Sequence, residues 1–291
     1  MNNRLLIGTV SLENRCFTRA FLFSAFRGDW GDADWLVIDN GSQQDDILSL
    51  KVEFPEVNFI RNEEHRGVAP AWNQILKYGD YDYYCIANND VFLSKRFVPL
   101  MIEFMDTHLE FGCCSPYCQD CRLDLAKTVS DRYDQVRGFY TNESQILSAL
   151  YLTYKQWNPL TQDLLRGFDN YASQIEEEYK EQVLPQILGS CFVIRKEVLH
   201  DIGYLDEEFT DKNVGVSEDF TYSAKLRTFQ QEKWKQMMAK NIVLHHFGCQ
   251  TRKRDDLMMQ YYGISGDQWE AQRHKNTEKF WGSDLKPQSR S

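Results

Sequence analysis

Residues 81–90 read YDYYCIANND, an apolar, β-favouring run that stops abruptly at two asparagines and an aspartate. Aromatic and aliphatic side chains suit a pleated, buried surface, whereas Asn and Asp favour turns. The run is therefore read as a buried strand over residues 81–87 that delivers polar side chains at its carboxyl end. The same pattern recurs on its amino-terminal side. Residues 34–38 (DWLVI) form a strand candidate ending at Asp39-Asn40-Gly41-Ser42, a turn signal. Residues 4–10 (RLLIGTV) and 57–61 (VNFIR) are two further strand candidates. Helix-like stretches separate them. These are residues 14–27, residues 45–54 stopping before Pro55, and residues 69–78 with Pro70 near the first turn; residues 96–109 follow the last strand.

Strand and helix thus alternate through the first hundred residues. That order predicts an α/β fold with a Rossmann-like, mostly parallel central sheet flanked by helices on both faces. In such sheets ligands sit beyond the carboxyl ends of the strands. Ser11, Asp39, Asn62 and Asp90 all fall there and are expected to converge on one crevice.

Composition narrows the function. The chain has 291 residues, 42% hydrophobic and 14% aromatic, enough for a sizeable core. Its formal net charge is −10, from 33 Lys and Arg against 43 Asp and Glu, which argues against nucleic acid as a partner. No apolar run approaches the ~20 residues that span a bilayer, and the first residues lack the apolar core of a signal peptide. A cytoplasmic protein is expected. Eight cysteines in a chain of this length do not suggest a disulfide framework. Cys113, Cys114, Cys118 and Cys121 cluster, so zinc is weighed; two are adjacent and no second C-x-x-C pair follows, which favours reduced core thiols.

From about residue 119 to 181 the chain is polar, rich in Tyr, Gln and Glu, and weakly periodic, and is read as a helical and loop insertion over the crevice. Residues 186–195 (QILGSCFVIR) return to a strand, followed by a helix at 196–202, a loop to 217, a helix at 219–229 and a strand at 241–245. The charged tail is expected to fray. The chain is expected to divide into an amino-terminal half (1–112), an insertion (113–186), a second half (187–251) and a C-terminal tail (252–291).

Several residues can carry chemistry. Asn89 and Asp90 close the fourth strand. A carboxylate there can hold a divalent cation whose other ligands come from a diphosphate and water, or the triplet is an ordinary turn. Asp39 can accept from a pyrimidine imide N–H, or cap the next helix. Arg66 and the following helix start can face phosphates. Glu218-Asp219 opens a helix, where acids are favoured by the helix dipole, and can equally supply a general base. His245-His246 ends a strand, and one imidazole there can complete a metal shell with Asp90; a mixed oxygen and imidazole set suits Mn²⁺.

Taken in order, VIDNGS, N-x4-G-x-A-x-A-x-N, NND, GSCFVIRKEVLHDIGYLDEEF, SED and HHFG resemble family 2 glycosyltransferases, in their rhamnosyltransferase-like branch. The resemblance covers about residues 5–105 and 187–251. It implies a GT-A fold, a nucleotide-diphosphate sugar donor and Mn²⁺ or Mg²⁺. It puts Asp39 near the base, with Thr9 and Ser11 lining the same pocket. Asn62, Gly67 and Asn73 match the loop beside the donor, and Gly189 and Ser190 the strand start that borders the sugar. Asp90 matches the last acid of the D-x-D-like motif, whose first acid is Asn88 here. Asp219, with Glu218 beside it, matches the catalytic acid pair. His246 fits the H-x-G spacing better than His245.

The expected function is metal-dependent transfer of a sugar, with inversion, from a UDP-glucose- or dTDP-rhamnose-class donor to a glycan or other hydroxyl acceptor. The loop at 212–217 is placed to close over the donor. A sugar nucleotidyltransferase would want a Gly-rich basic loop after the first strand, where this chain reads SLENR. A non-catalytic nucleotide- or sugar-binding module is the other alternative.

Overall fold

The computed structural model describes residues 3–121, 124–158, 163–207, 222–226, 233–248, 250 and 253–281. Four parallel strands, β1 (Leu5–Ser11), β2 (Ala33–Asp39), β3 (Asn58–Arg61) and β4 (Tyr83–Asn88), lie in the spatial order β3-β2-β1-β4. The chain moves from β1 to β2 in one direction, then returns past β1 to reach β4. The two crossover helices therefore cover opposite faces. Phe21, Leu22 and Ala25 of α1 (Arg15–Phe26) pack with Leu5, Ile7, Val37 and Cys85. Between β2 and β3 the sequence predicts a helix over 45–54. The chain forms instead a 3-10 turn (Ile47–Ser49) and one turn of α2 (Leu50–Glu53). The reason is local: Asp45 accepts from the Arg15 N–H, and Asp46 accepts from the Ser49 N–H. Their polar groups are thus committed to loop contacts.

On the second face, Ala69, Trp72 and Ile75 of α3 (Val68–Leu76) meet Leu6, Ile38 and Ile86. The approach is close, since a Cβ on Gly8 would lie 2.3 Å from Ile75 Cγ2. The strand order reverses between β1 and β4, and a crevice outside their carboxyl ends is where this architecture binds ligands.

The remaining strands extend the sheet beyond β4. β5 (Val91–Leu93) follows β4 directly, and α4 (Phe97–Thr107) leads to β6 (Phe111–Tyr117). Helices α5 (Asp124–Val136), α6 (Glu143–Tyr154) and α7 (Arg166–Glu178) form the insertion. They enclose a core of their own, with Tyr133, Tyr154, Phe168 and Tyr171 among its buried rings, into which Phe17 of α1 and Phe247 also project. β7 (Val183–Leu184) pairs antiparallel with β9 (Lys235–His246), which is itself parallel to β6. β8 (Cys191–Arg195) lies antiparallel between β4 and β6, and leads into α8 (Lys196–Ile202).

The sequence reading missed β5, β6 and the first half of β9. β6 carries Gly112 and Pro116, and β9 opens on KQMMAK, residues that favour helix over strand. Pairing with neighbours overrides those preferences, and β6 shifts register at both irregular points.

The tail also departs from expectation. Residues 255–281 form α9 (Asp255–Tyr262) and α10 (Gly266–Trp281), with Gly263 at φ +71 between them. Leu257, Met258 and Trp269 are buried, and docking of α9 on the amino-terminal loops keeps it from fraying. Residues 282–291 lie outside the described residues. No helix among the described residues is long and apolar enough to cross a membrane.

Candidate active site

Strand register brings the expected residues to one rim. Arg61 pairs with Asp39, Asp39 with Ser11, and Val10 with Asn88, so the carboxyl ends of β3, β2, β1 and β4 are level. Asp39 is wholly buried. Its Oδ1 accepts the Ser42 N–H at 3.0 Å and closes the turn. Its Oδ2 has no hydrogen-bond partner among the described residues and lies 3.5 Å from Arg61 Nε. Thr9 Oγ1 is likewise buried without a partner. A buried polar atom left in that state costs about 1–3 kcal/mol unless a ligand or water completes it.

The other residues singled out by the sequence shape the loops. Asn62 donates to Asn40 Oδ1 at 2.9 Å and exchanges hydrogen bonds with Gln74, while Asn40 donates to the Gly67 carbonyl at 3.0 Å. Gly67 opens α3 at φ +88, a conformation open to glycine at little cost. Gly41, at φ +86, lets the loop after β2 press against Glu64, where a Cβ would stand 2.5 Å from the Glu64 carbonyl carbon. Ser11 and Asn89 are tied through Thr18: Asn89 Nδ2 lies 3.1 Å from Thr18 Oγ1, which donates to Ser11 Oγ at 2.8 Å. Asn73 faces away from that rim. Its carboxamide holds the backbone N–H and C=O of Leu205, each at 2.9 Å, and reaches Glu207 at 2.8 Å. Gly189 and Ser190 precede β8, and the Ser190 carbonyl accepts the Asn88 N–H at 2.8 Å, so both border the end of β4.

The antiparallel pairing of β5 with β9 sets the acidic end. Val91 lies opposite His246, which puts Asp90 beside that imidazole: Asp90 Oδ1 and His246 Nε2 are 3.3 Å apart. Both side chains are largely buried. His245, one residue earlier, projects to the other side of the strand. Its ring is fully buried among Tyr133, Tyr154 and Phe247, with Nδ1 3.1 Å from the Tyr154 hydroxyl. Among the described residues no three His, Cys, Asp or Glu side chains form a metal-holding group.

Two participants had no sequence signal. Gln250 donates its backbone N–H to Asp90 Oδ2 at 3.3 Å, and its carboxamide joins the Phe247 and Gly138 carbonyls, at 2.9 and 3.2 Å. It fixes Asp90 against the insertion. Glu13, at φ +52, turns its carboxylate onto the backbone N–H groups of Gln43, Gln44 and Asp45 and onto the Tyr261 hydroxyl. Burial works to raise the Glu13 pKa, but those hydrogen bonds outweigh it and hold the carboxyl below the usual range. Its partners lie some 30 and 248 residues away, beyond the reach of any local motif.

The clustered cysteines do not converge. Cys113 and Cys114 alternate along β6 and enter the cores on opposite faces of the sheet. Burial pushes the Cys114 thiol up to about 12 and Cys113 well above its ordinary value, as expected of core thiols. Glu218, Asp219 and the 212–217 loop lie outside the described residues.

Solved structures share this architecture. The mannosyltransferase PcManGT from Pyrobaculum calidifontis, in complex with GDP-Man and Mn2+, matches with a TM-score of 0.54 at 13% identity, over 89% of this chain and 63% of that one. S. aureus TarS 1-349 matches with a TM-score of 0.53 at 13% identity, over 98% and 76%. GalNAc-T7 with UDP, GalNAc and Mn2+ matches with a TM-score of 0.54 at 14% identity, over 84% and 43%. The chain thus spans less than two thirds of the first and third of these proteins. No curated protein matches it. At these identities the likeness speaks for the fold, which is GT-A. The sequence itself matches the model of Glycosyl transferase family 2 over residues 13–203. That span takes in the Asp39 turn, the Asn62 loop, Asp90 and the start of β8, and by it the chain belongs to glycosyl transferase family 2.

Proposed function

We propose that the protein is a metal-dependent glycosyltransferase that moves a sugar, with inversion, from a UDP- or dTDP-linked donor to the hydroxyl of a glycan or other acceptor. The observation that carries this reading is the level rim on which Asp39, whose buried Oδ2 accepts no hydrogen bond among the described residues, stands in the same row of strand ends as Asn88, with Asp90 just beyond. Asp39 Oδ2 would accept the imide N–H that uracil and thymine share. Thr9 offers a second buried polar atom in the same pocket.

Asp90 and His246 fit a divalent cation. Their donor atoms stand 3.3 Å apart, close to the roughly 3 Å expected between adjacent ligands of an ion with bonds of about 2.1 Å. When bound, Mn²⁺ or Mg²⁺ would supply counter-charge for the departing diphosphate. The complexes of PcManGT with GDP-Man and Mn2+, and of GalNAc-T7 with UDP, GalNAc and Mn2+, support a nucleotide-diphosphate donor and a divalent ion. Asp219, on the family resemblance, would take the acceptor proton as the hydroxyl oxygen bonds to the anomeric carbon and the bond to diphosphate breaks. Glu218 would flank it. Gly189 and Ser190 would border the sugar. A nucleotidyltransferase fits less well, because the backbone amides of residues 43–45 already donate to Glu13 rather than standing open to a triphosphate.

Calorimetric titration of UDP, dTDP and GDP, with and without Mn²⁺, on wild type and Asp90→Ala tests the proposal. Metal-dependent binding of a uridine or thymidine nucleotide, lost in the variant, is expected. Absence of nucleotide binding under every condition would overturn it.

A further inference from the structure

Helix α9, in the C-terminal tail, packs on the loops after β1, β2 and β3, the side of the crevice where Asp39 lies. Tyr261 donates its hydroxyl to the Glu13 carboxylate. Arg254 donates to the Glu13 carbonyl at 3.3 Å. Gln260 exchanges side-chain hydrogen bonds with Gln43 and Gln44. Tyr262 Oη lies 3.0 Å from His65 Nε2. His65 Nδ1 accepts the Gly67 N–H at 3.0 Å, which assigns the ring proton to Nε2 and makes Tyr262 the acceptor. The His65 ring centroid is 5.5 Å from that of Tyr261 and 4.9 Å from that of Tyr262. Burial and the hydrogen bond to Glu13 hold the Tyr261 hydroxyl protonated well above the ordinary phenol range.

We propose that α9 is the outer wall of the nucleotide-base pocket, with Tyr261 a base-contacting residue and Glu13 the positioning residue that holds its ring. The inference rests on the nucleotide-binding reading of the Asp39 rim and adds to it a residue from the far end of the chain. A non-glycine residue at φ +52 carries backbone strain, and such strain persists where the surroundings fix it for a purpose. Here it turns a buried carboxylate toward three backbone amides and one phenol. The amides set the loop that follows Asp39, and the phenol holds the Tyr261 ring against that loop. An aromatic ring beside the loop that follows Asp39 suits a planar base, which needs both an edge partner and a stacking surface.

The test titrates UDP, GDP and, separately, inorganic pyrophosphate, each with Mn²⁺, into wild type, Tyr261→Ala, Tyr261→Phe and Glu13→Gln. Pyrophosphate carries no base and reports the metal end alone. Tyr261→Ala is expected to weaken UDP at least tenfold and leave pyrophosphate within twofold. Tyr261→Phe keeps the ring but loses the tether, and is expected to fall between. Glu13→Gln is expected to weaken UDP and to narrow its margin over GDP, a change that simple loosening of the fold would not make. Unchanged UDP affinity in Tyr261→Ala overturns the inference. So does an equal loss of UDP and pyrophosphate in both Tyr261 variants. If wild type binds pyrophosphate and no nucleotide, the donor reading itself fails, a result distinct from either.

Discussion

Asp90 Oδ1 and His246 Nε2 stand 3.3 Å apart although 155 residues of chain lie between the two, because β5 pairs with β9 and sets Val91 opposite His246. The same pairing sends His245 into the aromatic core. Two adjacent histidines are thereby given different work, and their variants should fail differently. His246→Ala should abolish the enhancement of UDP binding by Mn²⁺ with little change in Tm. His245→Ala removes a buried ring and strands the Tyr154 hydroxyl, at about 3 kcal/mol, so Tm should fall by several degrees. Calorimetry and a thermal melt on the two variants check this, and a metal-dependent loss in His245→Ala alone would reverse the assignment.

Asp39 offers a sharper test of the base. Its Oδ1 is committed to the Ser42 N–H, and its Oδ2 accepts no hydrogen bond among the described residues, with Arg61 Nε 3.5 Å away. Asp39→Asn can keep the carbonyl on Ser42 and turn an NH₂ group into the pocket. That donor meets a uracil imide N–H head-on but matches the N3 acceptor of cytosine. UDP affinity should fall by roughly 10- to 100-fold, the cost of a buried unpaired donor, while CDP affinity rises. Equal binding of both nucleotides before and after substitution would remove Asp39 from base recognition.

The parallel half of the sheet was legible because its strands are apolar, short and punctuated by Asp-Asn-Gly or Asn-Asn-Asp turns. The residues at those turns were legible as a set for the same reason. What was hidden depends on contacts between distant segments. β6 and the first half of β9 are strands only because they pair, and Glu13, Gln250 and Tyr261 acquire roles through partners from 30 to 248 residues away. Asn73 carried a third kind of difficulty. The family pattern puts it beside the donor, yet its carboxamide is spent on Leu205.

Asn73 therefore acts on the segment around Leu205, which precedes Glu218 and Asp219 in the sequence. Asn73→Ala leaves the Leu205 N–H and C=O without their partner, a loss of about 1–3 kcal/mol that falls on that segment's anchor. Turnover should drop roughly tenfold, equivalent to about 1.4 kcal/mol, while nucleotide affinity stays within twofold. Steady-state kinetics beside UDP titration separates the two. A weakened nucleotide with unchanged kcat would instead put Asn73 at the donor.

The Glu13 clasp should give α9 a distinctive acid response. The folded carboxyl titrates below its unfolded value of about 4.3, so its contribution is complete above that pH and is lost as pH falls through the lower, folded value. Protonation removes an acceptor from the amides of Gln43, Gln44 and Asp45 and from Tyr261 together. Tyr261 stays protonated throughout, since its own pKa is raised. Hydrogen exchange across residues 255–262 should therefore hold its protection at neutral pH and lose it below about pH 4. In Glu13→Gln the carboxylate-linked step should vanish and protection should be lower at every pH, while any step from His65 remains. Protection in wild type that is flat from neutral pH to pH 3 would mean that Leu257 and Met258, not the carboxylate, hold the helix in place.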